Sequence, residues 1–216
     1  MEVKNNFANI ICLGNFNPSI LTPNFITEVC KLKIDGKAQG QTTPVVSSLQ
    51  WGNISFIVEM DRMQVRESNI GEFQDTKVIQ CLESYLGVLR YTPIFACGLN
   101  LNSSIKEFDI TNVNNNLQNK DRMLSILKTG NLTIEKKEIA KPESQEWQSY
   151  NFIYPSENNT VFHLNLRKNQ ESIIINFNFE VRAIENDLTR VKNIGNQLAN
   201  MVALYKKIVE DIVTGV

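Results

Sequence analysis

The chain carries a single histidine, His163, so any mechanism in which an imidazole activates a serine or cysteine must run through it. His163 falls in mid-strand among polar residues, where Glu180 on the following strand could orient it as a general base. A hydrogen-bonded or solvated strand histidine is the simpler reading, and no cysteine can be placed beside it by spacing. The second fragment with chemical potential is Glu135-Lys136-Lys137. In an E-x-K arrangement, Glu135 would bind Mg²⁺ and Lys137 would stabilise charge developing on a phosphate. That chemistry also needs an upstream acidic ligand on an adjoining strand, and Asp121 falls in a predicted helix instead. Charges on a solvated edge strand, which discourage aggregation, explain the same residues.

Cysteines add no further site at this level. Cys12, Cys30, Cys81 and Cys97 are scattered, with no C-x-x-C pair and no histidine at ligand spacing, which excludes a zinc cluster and reads as reduced, buried small hydrophobes. The sequence contains no G-x-S-x-G, Walker loop, H-E-x-x-H or strand-linked G-x-G-x-x-G. No metal and no cofactor is therefore expected. Lys+Arg 22 against Asp+Glu 23 leaves a net charge of −1, too small for a field that holds nucleic acid or an anionic membrane. Neither is expected as a partner. The apolar run Ile10 to Leu13 is too short for a signal-peptide core or a membrane span, which predicts a cytoplasmic protein. On that reading the N-x-S/T matches at Asn53, Asn102, Asn131 and Asn158 are compositional accidents.

The elements that must position these residues follow from periodicity. Phe7 to Leu13 predicts a strand, ended by the Gly14 to Pro18 turn; Thr22 and Pro23 predict the start of a short helix through Val29. Val45 to Gln50 and Ile54 to Val65 predict strands around Trp51-Gly52-Asn53, the second divided by a turn near Asp61-Arg62. Asp75 to Tyr91 predicts a helix with one apolar stripe, stopped by Thr92-Pro93, and a strand Ile94 to Leu101 follows. Residues 112–119, rich in asparagine, predict a linker, Lys120 to Lys128 a short helix ended by Thr129-Gly130, and Leu132 to Ile139 and Ser149 to Tyr154 two strands. Trp51 and Trp147 fall near strand ends, where they cap the core or anchor a partner.

Val161 to Arg182 predicts a hairpin with an apolar face of Phe162, Leu164, Leu166, Ile173, Ile175, Phe177 and Phe179. Matching apolar residues across the pair sets Leu166 against Ile173, Leu164 against Ile175, Phe162 against Phe177 and Arg167 against Ser172, with the loop Lys168 to Glu171. The opposite, polar face then carries His163, Asn165, Arg167, Asn176, Asn178, Glu180 and Arg182. Asp187 to Val213 predicts the longest helix, with Val191, Ile194, Leu198, Met201, Tyr205, Ile208 and Ile212 in a stripe wide enough to cover a sheet.

The layout around Trp51-Gly52-Asn53, Asp61-Arg62-Met63 and Gly98-Leu99-Asn100-Leu101-Asn102, together with the long C-terminal helix, resembles a sporadically distributed group of uncharacterised bacterial proteins. That resemblance covers most of the chain and implies no activity. The sequence thus predicts an α+β fold: antiparallel sheet, a mid-chain amphipathic helix and a long C-terminal helix packed on the sheet, with two similar halves. The chain 1–216 is expected to form one unit, the alternative being sub-domains 1–111 and 120–216 joined by 112–119. The expected function is non-enzymatic binding or assembly as a homo-oligomer or with another protein. Two readings compete with it: a metal-dependent phosphodiesterase or nuclease using Glu135 and Lys137, and a small-ligand-binding protein whose site lies between the sheet and the final helix.

Overall fold

The computed structural model describes residues 2–127, 133–140, 146–155, 160–168, 171–182 and 188–214. Strand β1 (Glu2–Gly14) opens the chain and is twice the length that the apolar run suggests, because its polar first half pairs as well. The Thr22 hydroxyl accepts the Phe25 amide at 3.1 Å, as expected of an N-cap, although the turn it starts is π-helical over Phe25–Val29. Strands β2 (Gln39–Gln41), β3 (Val46–Trp51), β4 (Ile54–Glu59) and β5 (Arg62–Ser68) then form a meander. The Asp61-Arg62 turn divides the long run as predicted. Gly52 turns between β3 and β4 with φ +52, where a Cβ would strain the two-residue loop.

Helix α1 (Val78–Val88) begins three residues later than its stripe suggests. The reason lies on β5. The Glu67 carboxylate, buried on the helix side of the sheet, accepts the Lys77 amide at 2.7 Å and the Thr76 hydroxyl at 2.8 Å, so it satisfies the first turn from outside the helix. Strand β6 (Ile94–Lys106) matches β1 in length and pairs with it over most of that length.

Of residues 112–119, expected as a linker, 112–118 belong instead to helix α2 (Ile110–Gln118), with Asn119 as its extended C-cap. Asp109 caps it by accepting the Thr111 and Asn112 amides, Val113 is buried, and Asn116 Nδ2 donates to the Ile212 carbonyl at 3.0 Å. Asparagine propensity for turns was outweighed by a good cap and these two contacts. Helix α3 (Lys120–Leu127) follows; Thr129-Gly130 lies outside the described residues. A second meander comprises β7 (Thr133–Ala140), β8 (Glu146–Pro155), β9 (Thr160–Lys168) and β10 (Ile173–Arg182), and α4 (Leu188–Thr214) closes the chain. Asp187, the expected first residue of this helix, lies outside the described residues.

All ten strands form one antiparallel sheet in the order β2-β3-β4-β5-β1-β6-β10-β9-β8-β7. The order is symmetric about the β1/β6 junction. Each half is a long strand, a short helical segment, a four-stranded meander and a helix, with the last meander strand returning to pair with the long one: β5 with β1, β10 with β6. The two similar halves expected from sequence are thus present, but each includes a central strand, β1 or β6, that the apolar patterns alone did not assign to it.

The hairpin of β9 and β10 has a different register from that expected. Leu166 stands opposite Ile175, Leu164 opposite Phe177, Phe162 opposite Phe179 and Arg167 opposite Ile174. The loop keeps four residues but moves on by one, since Lys168 now pairs with Ile173. A slip of two residues leaves every side chain on its original face, so the apolar pattern cannot distinguish these registers. On its other side β10 pairs with β6, where Phe177 meets Leu101 and Phe179 meets Leu99.

One face of the sheet is buried beneath the helices. The C-terminal helix covers its own hairpin, as expected: the Tyr205 ring meets Phe177 edge-on at 6.2 Å between centroids and Phe73 at 5.4 Å. Met201, Val202, Ile208, Val209 and Ile212 are buried with it, whereas Leu198 is only half-buried. Helix α4 also approaches α1 closely at Gly195, where a Cβ would come within 2.8 Å of the Ile79 Cγ2. The Tyr85 and Tyr205 hydroxyls are buried without a hydrogen-bond partner among the described residues; Ser103, near Tyr205, gives its proton to Asn5 Oδ1.

Three changes test this packing. Ile208→Ala is expected to cost about 2 to 5 kcal/mol in urea unfolding, through lost transfer energy and a residual cavity, and Leu198→Ala distinctly less. Burial pushes the Tyr85 phenol up from 10 to about 12, so its neutral form is favoured in the folded state. The stabilisation is intact below the unfolded value near 10 and is lost as pH rises through about 12. Removing that ionisable group in Tyr85→Phe is therefore expected to flatten the alkaline limb of a stability-versus-pH curve.

Candidate functional site

In the central strands every second residue faces the helices: Ala8, Ile10 and Cys12 on β1, Met63 and Val65 on β5, and Cys97, Leu99 and Leu101 on β6; of the residues between them Ile11, Gln64, Arg66 and Asn100 are half-buried, while Asn9 and Gly98 are buried. The intervening residues form the second face, over which no described element lies. Because directly opposed residues share a face, the pairings place Ser55, Arg66, Asn9, Asn100, Asn178 and His163 in one row across six strands. A neighbouring row runs Asn102, Asn176, Asn165.

The polar residues expected on the second hairpin do share this face, with Asn178 opposite His163 and Asn176 opposite Asn165. Arg182 is opposite Ala96, and its side chain lies outside the described set. The long C-terminal helix lies on the other side of the sheet, against Phe177. A ligand site lined by the polar strand face and covered by that helix is therefore excluded by the geometry; any cleft on this face is made by strands alone.

At the centre, side-chain amides are joined across three strands. Asn178 Nδ2 donates to Asn100 Oδ1 at 2.8 Å, and Asn100 Nδ2 donates to Asn9 Oδ1 at 2.7 Å. Each amide has two N–H groups and two acceptor lone pairs, so these bonds use only part of its capacity. Beside the ladder, Asn6 Nδ2 donates to Asn102 Oδ1 at 2.9 Å, and the Arg66 guanidinium lies 3.9 Å above the Phe7 ring. His163 Nε2 is 3.5 Å from Glu180 Oε2, with both side chains about a quarter exposed.

A glycine opens this surface. Gly98 lies opposite Ile11 on one side and Glu180 on the other, leaving a cleft of about 160 Å³ bordered by Ile11, Leu13, Ala96, Asn100, Asn178 and Glu180. A Cβ there would stand 3.2 Å from Asn178 Nδ2, so glycine both keeps the cleft open and lets the ladder close.

The pairing expected between His163 and Glu180 is present as a loose contact. No cysteine joins them: Cys12 and Cys97 are on the helix-covered face, Cys81 is in α1 and Cys30 follows the π-turn. Asn178 and Ile153 stand opposite His163, and neither is a nucleophile. Glu135 and Lys137 occupy β7, at the end of the sheet, opposite Asn151 and Ser149. With β8 between, β7 lies about 9.6 Å from the strand carrying His163. Asp121 lies in α3, which packs on α4. Among the described residues, no three His, Cys, Asp or Glu side chains gather as metal ligands. Trp51 is buried, edge-on to Phe56 at 5.9 Å, and so caps the core; the Trp147 side chain is outside the described set.

Sequence reasoning found the right-hand half of this face and missed the left: Asn9, Gln64, Arg66, Gly98 and Asn100. The signal was available in Leu99-Asn100-Leu101-Asn102, where asparagine alternates with leucine as it does in Asn176-Phe177-Asn178-Phe179. Among the described residues no helix is long and apolar enough to cross a membrane. No protein-family model matches the chain, and no curated protein matches it.

Asn100 links the outer two amides of the ladder, accepting from one and donating to the other. Asn100→Ala is expected to destabilise the protein by about 1 to 3 kcal/mol, the net worth of its two ladder hydrogen bonds. Asn100→Asp keeps the acceptor for Asn178 but loses the donor to Asn9, and should fall further as pH is raised above the aspartate range. Urea midpoints for the three proteins at acid and neutral pH check both statements.

Proposed function

We propose that the protein is a non-enzymatic binding or assembly protein that recognises its partner, a second copy or another protein, through the uncovered face of the sheet. The observation that carries this reading is the ladder Asn9-Asn100-Asn178, with His163 and Glu180 beside it and the Gly98 cleft below. Unspent amide donors and acceptors on a sheet suit recognition of another polar surface or of backbone groups. Their rigid spacing, about 4.8 Å from strand to strand, favours a repeating pattern of contacts. Nothing opposite His163 supplies a nucleophile, so the same residues serve better as hydrogen-bonding groups than as an acid–base system.

Asn178→Arg tests this directly, since it places a bulky charge over the cleft without touching the apolar face. Light scattering and native mass spectrometry across the micromolar range are expected to show wild type with a second copy or a bound partner, and the variant without it while still folded, its stability lowered only by the lost Asn178–Asn100 bond, about 0.5 to 1.5 kcal/mol. A wild-type protein that is strictly monomeric and carries no bound mass from expression would count decisively against the proposal.

A further inference from the structure

The β1/β6 pairing sets Cys12 directly opposite Cys97, on the helix-covered face. Opposed residues of an antiparallel pair have Cα atoms about 4.5 to 5.5 Å apart, within the roughly 4.4 to 6.8 Å that a disulfide accepts. Their Sγ atoms are 2.7 Å apart, inside an ordinary nonbonded sulfur contact and longer than the roughly 2.05 Å of a disulfide. Both residues are buried, at 0% and 1% exposure. Neither Cys30 nor Cys81 is paired with a cysteine in this way.

We propose that Cys12 and Cys97 are a disulfide-forming pair that ties the two halves of the sheet together, using a low-molecular-weight disulfide such as oxidised glutathione as oxidant. In the first step the Cys12 thiolate attacks glutathione disulfide, forming a mixed disulfide and expelling one glutathione thiolate, which takes up a proton. Cys97, deprotonated to the solvent, then displaces the second glutathione from Cys12. Two protein thiols are oxidised by two electrons, and one glutathione disulfide becomes two glutathione thiols.

Timing follows from burial. In the folded protein the hydrogen bond to Cys97, burial and repulsion from a neighbouring thiolate together hold the Cys12 thiol well above its ordinary value. The attacking thiolate is therefore scarce once the sheet has closed. The bond forms while the chain is folding and both sulfurs are still accessible, and it is then sealed beneath the helices. It joins residues 85 apart in sequence, so it constrains a long loop of the unfolded chain.

The test is refolding of reduced, denatured protein in a glutathione redox buffer and, in parallel, in dithiothreitol, with folding verified by circular dichroism. After denaturation and alkylation, the glutathione sample is expected to have two modified cysteines and the dithiothreitol sample four. Tryptic peptides Asn5–Lys31 and Tyr91–Lys106 should be joined, and because the first contains both Cys12 and Cys30, fragmentation places the bond. The oxidised protein is expected to unfold at higher urea than the reduced one, and Cys97→Ser should gain neither the joined peptides nor the added urea resistance in the glutathione buffer. A folded glutathione sample with four alkylated cysteines, or a bond through Cys30 or Cys81, would overturn the proposal.

Discussion

The pairing of β1 with β6 is the contact on which the rest of the molecule depends. These two thirteen-residue strands lie at the centre of the sheet, and each is also the strand to which one meander returns. Separated, the halves would each expose a long central strand with a free row of amide and carbonyl groups, which is the form of edge that proteins most need to protect. Joined, the long strands protect one another. The outer edges of the sheet are then β2, only three residues long, and β7, which carries Glu135, Lys136, Lys137 and Glu138. Both are familiar ways of limiting unwanted strand addition.

That central junction also sorts the two faces. On one side it assembles Ile10, Cys12, Leu99 and Leu101 with Phe177, Phe179 and the stripe of α4 into a single core. On the other it lines up Asn9 and Asn100, to which β10 adds Asn178. The asymmetry arises because all four helices lie on one side, so the period-two alternation of each strand becomes a division between a core and a surface. Ser47, Ser103 and Glu67 are polar residues buried on the core side, and Glu67 is the charged one among them. It is a carboxylate on the core face, held there because it meets the otherwise unsatisfied first turn of α1.

The exposed pair Lys206 and Glu72, 2.9 Å apart over a cavity of about 290 Å³ beside Tyr205, adds little to stability, since both side chains are about half exposed. Energetically the helix layer rests on shape. Gly195 against Ile79 and the edge-on rings of Phe73, Tyr205 and Phe177 fix where α4 crosses, and the Asn116 and Arg122 contacts to the Ile212 and Asp211 carbonyls hold its far end.

Much was determined by the sequence itself, because the determining interactions are local. Alternation in Ile54 to Ser68 and Phe162 to Val181 is enough to specify strands and their apolar faces, the three-four spacing of Met201, Tyr205, Ile208 and Ile212 specifies a helix that must be covered, and Thr22 caps the turn that follows it. Tertiary structure decided whatever depended on a partner distant in the chain. The two-residue shift of the β9/β10 register keeps the same faces, so no local alternation distinguishes it; residues 112–118 became helical because Asp109 caps them and α4 receives Asn116; α1 starts where Glu67 of another strand can meet it. The candidate site belongs to this second group. Asn9, Asn100 and Asn178 are unremarkable as single residues, and only pairing between strands nearly a hundred residues apart turns them into a continuous ladder. Local periodicity can say which way a side chain faces, whereas its neighbours across the sheet are set by long-range register, which no single segment encodes.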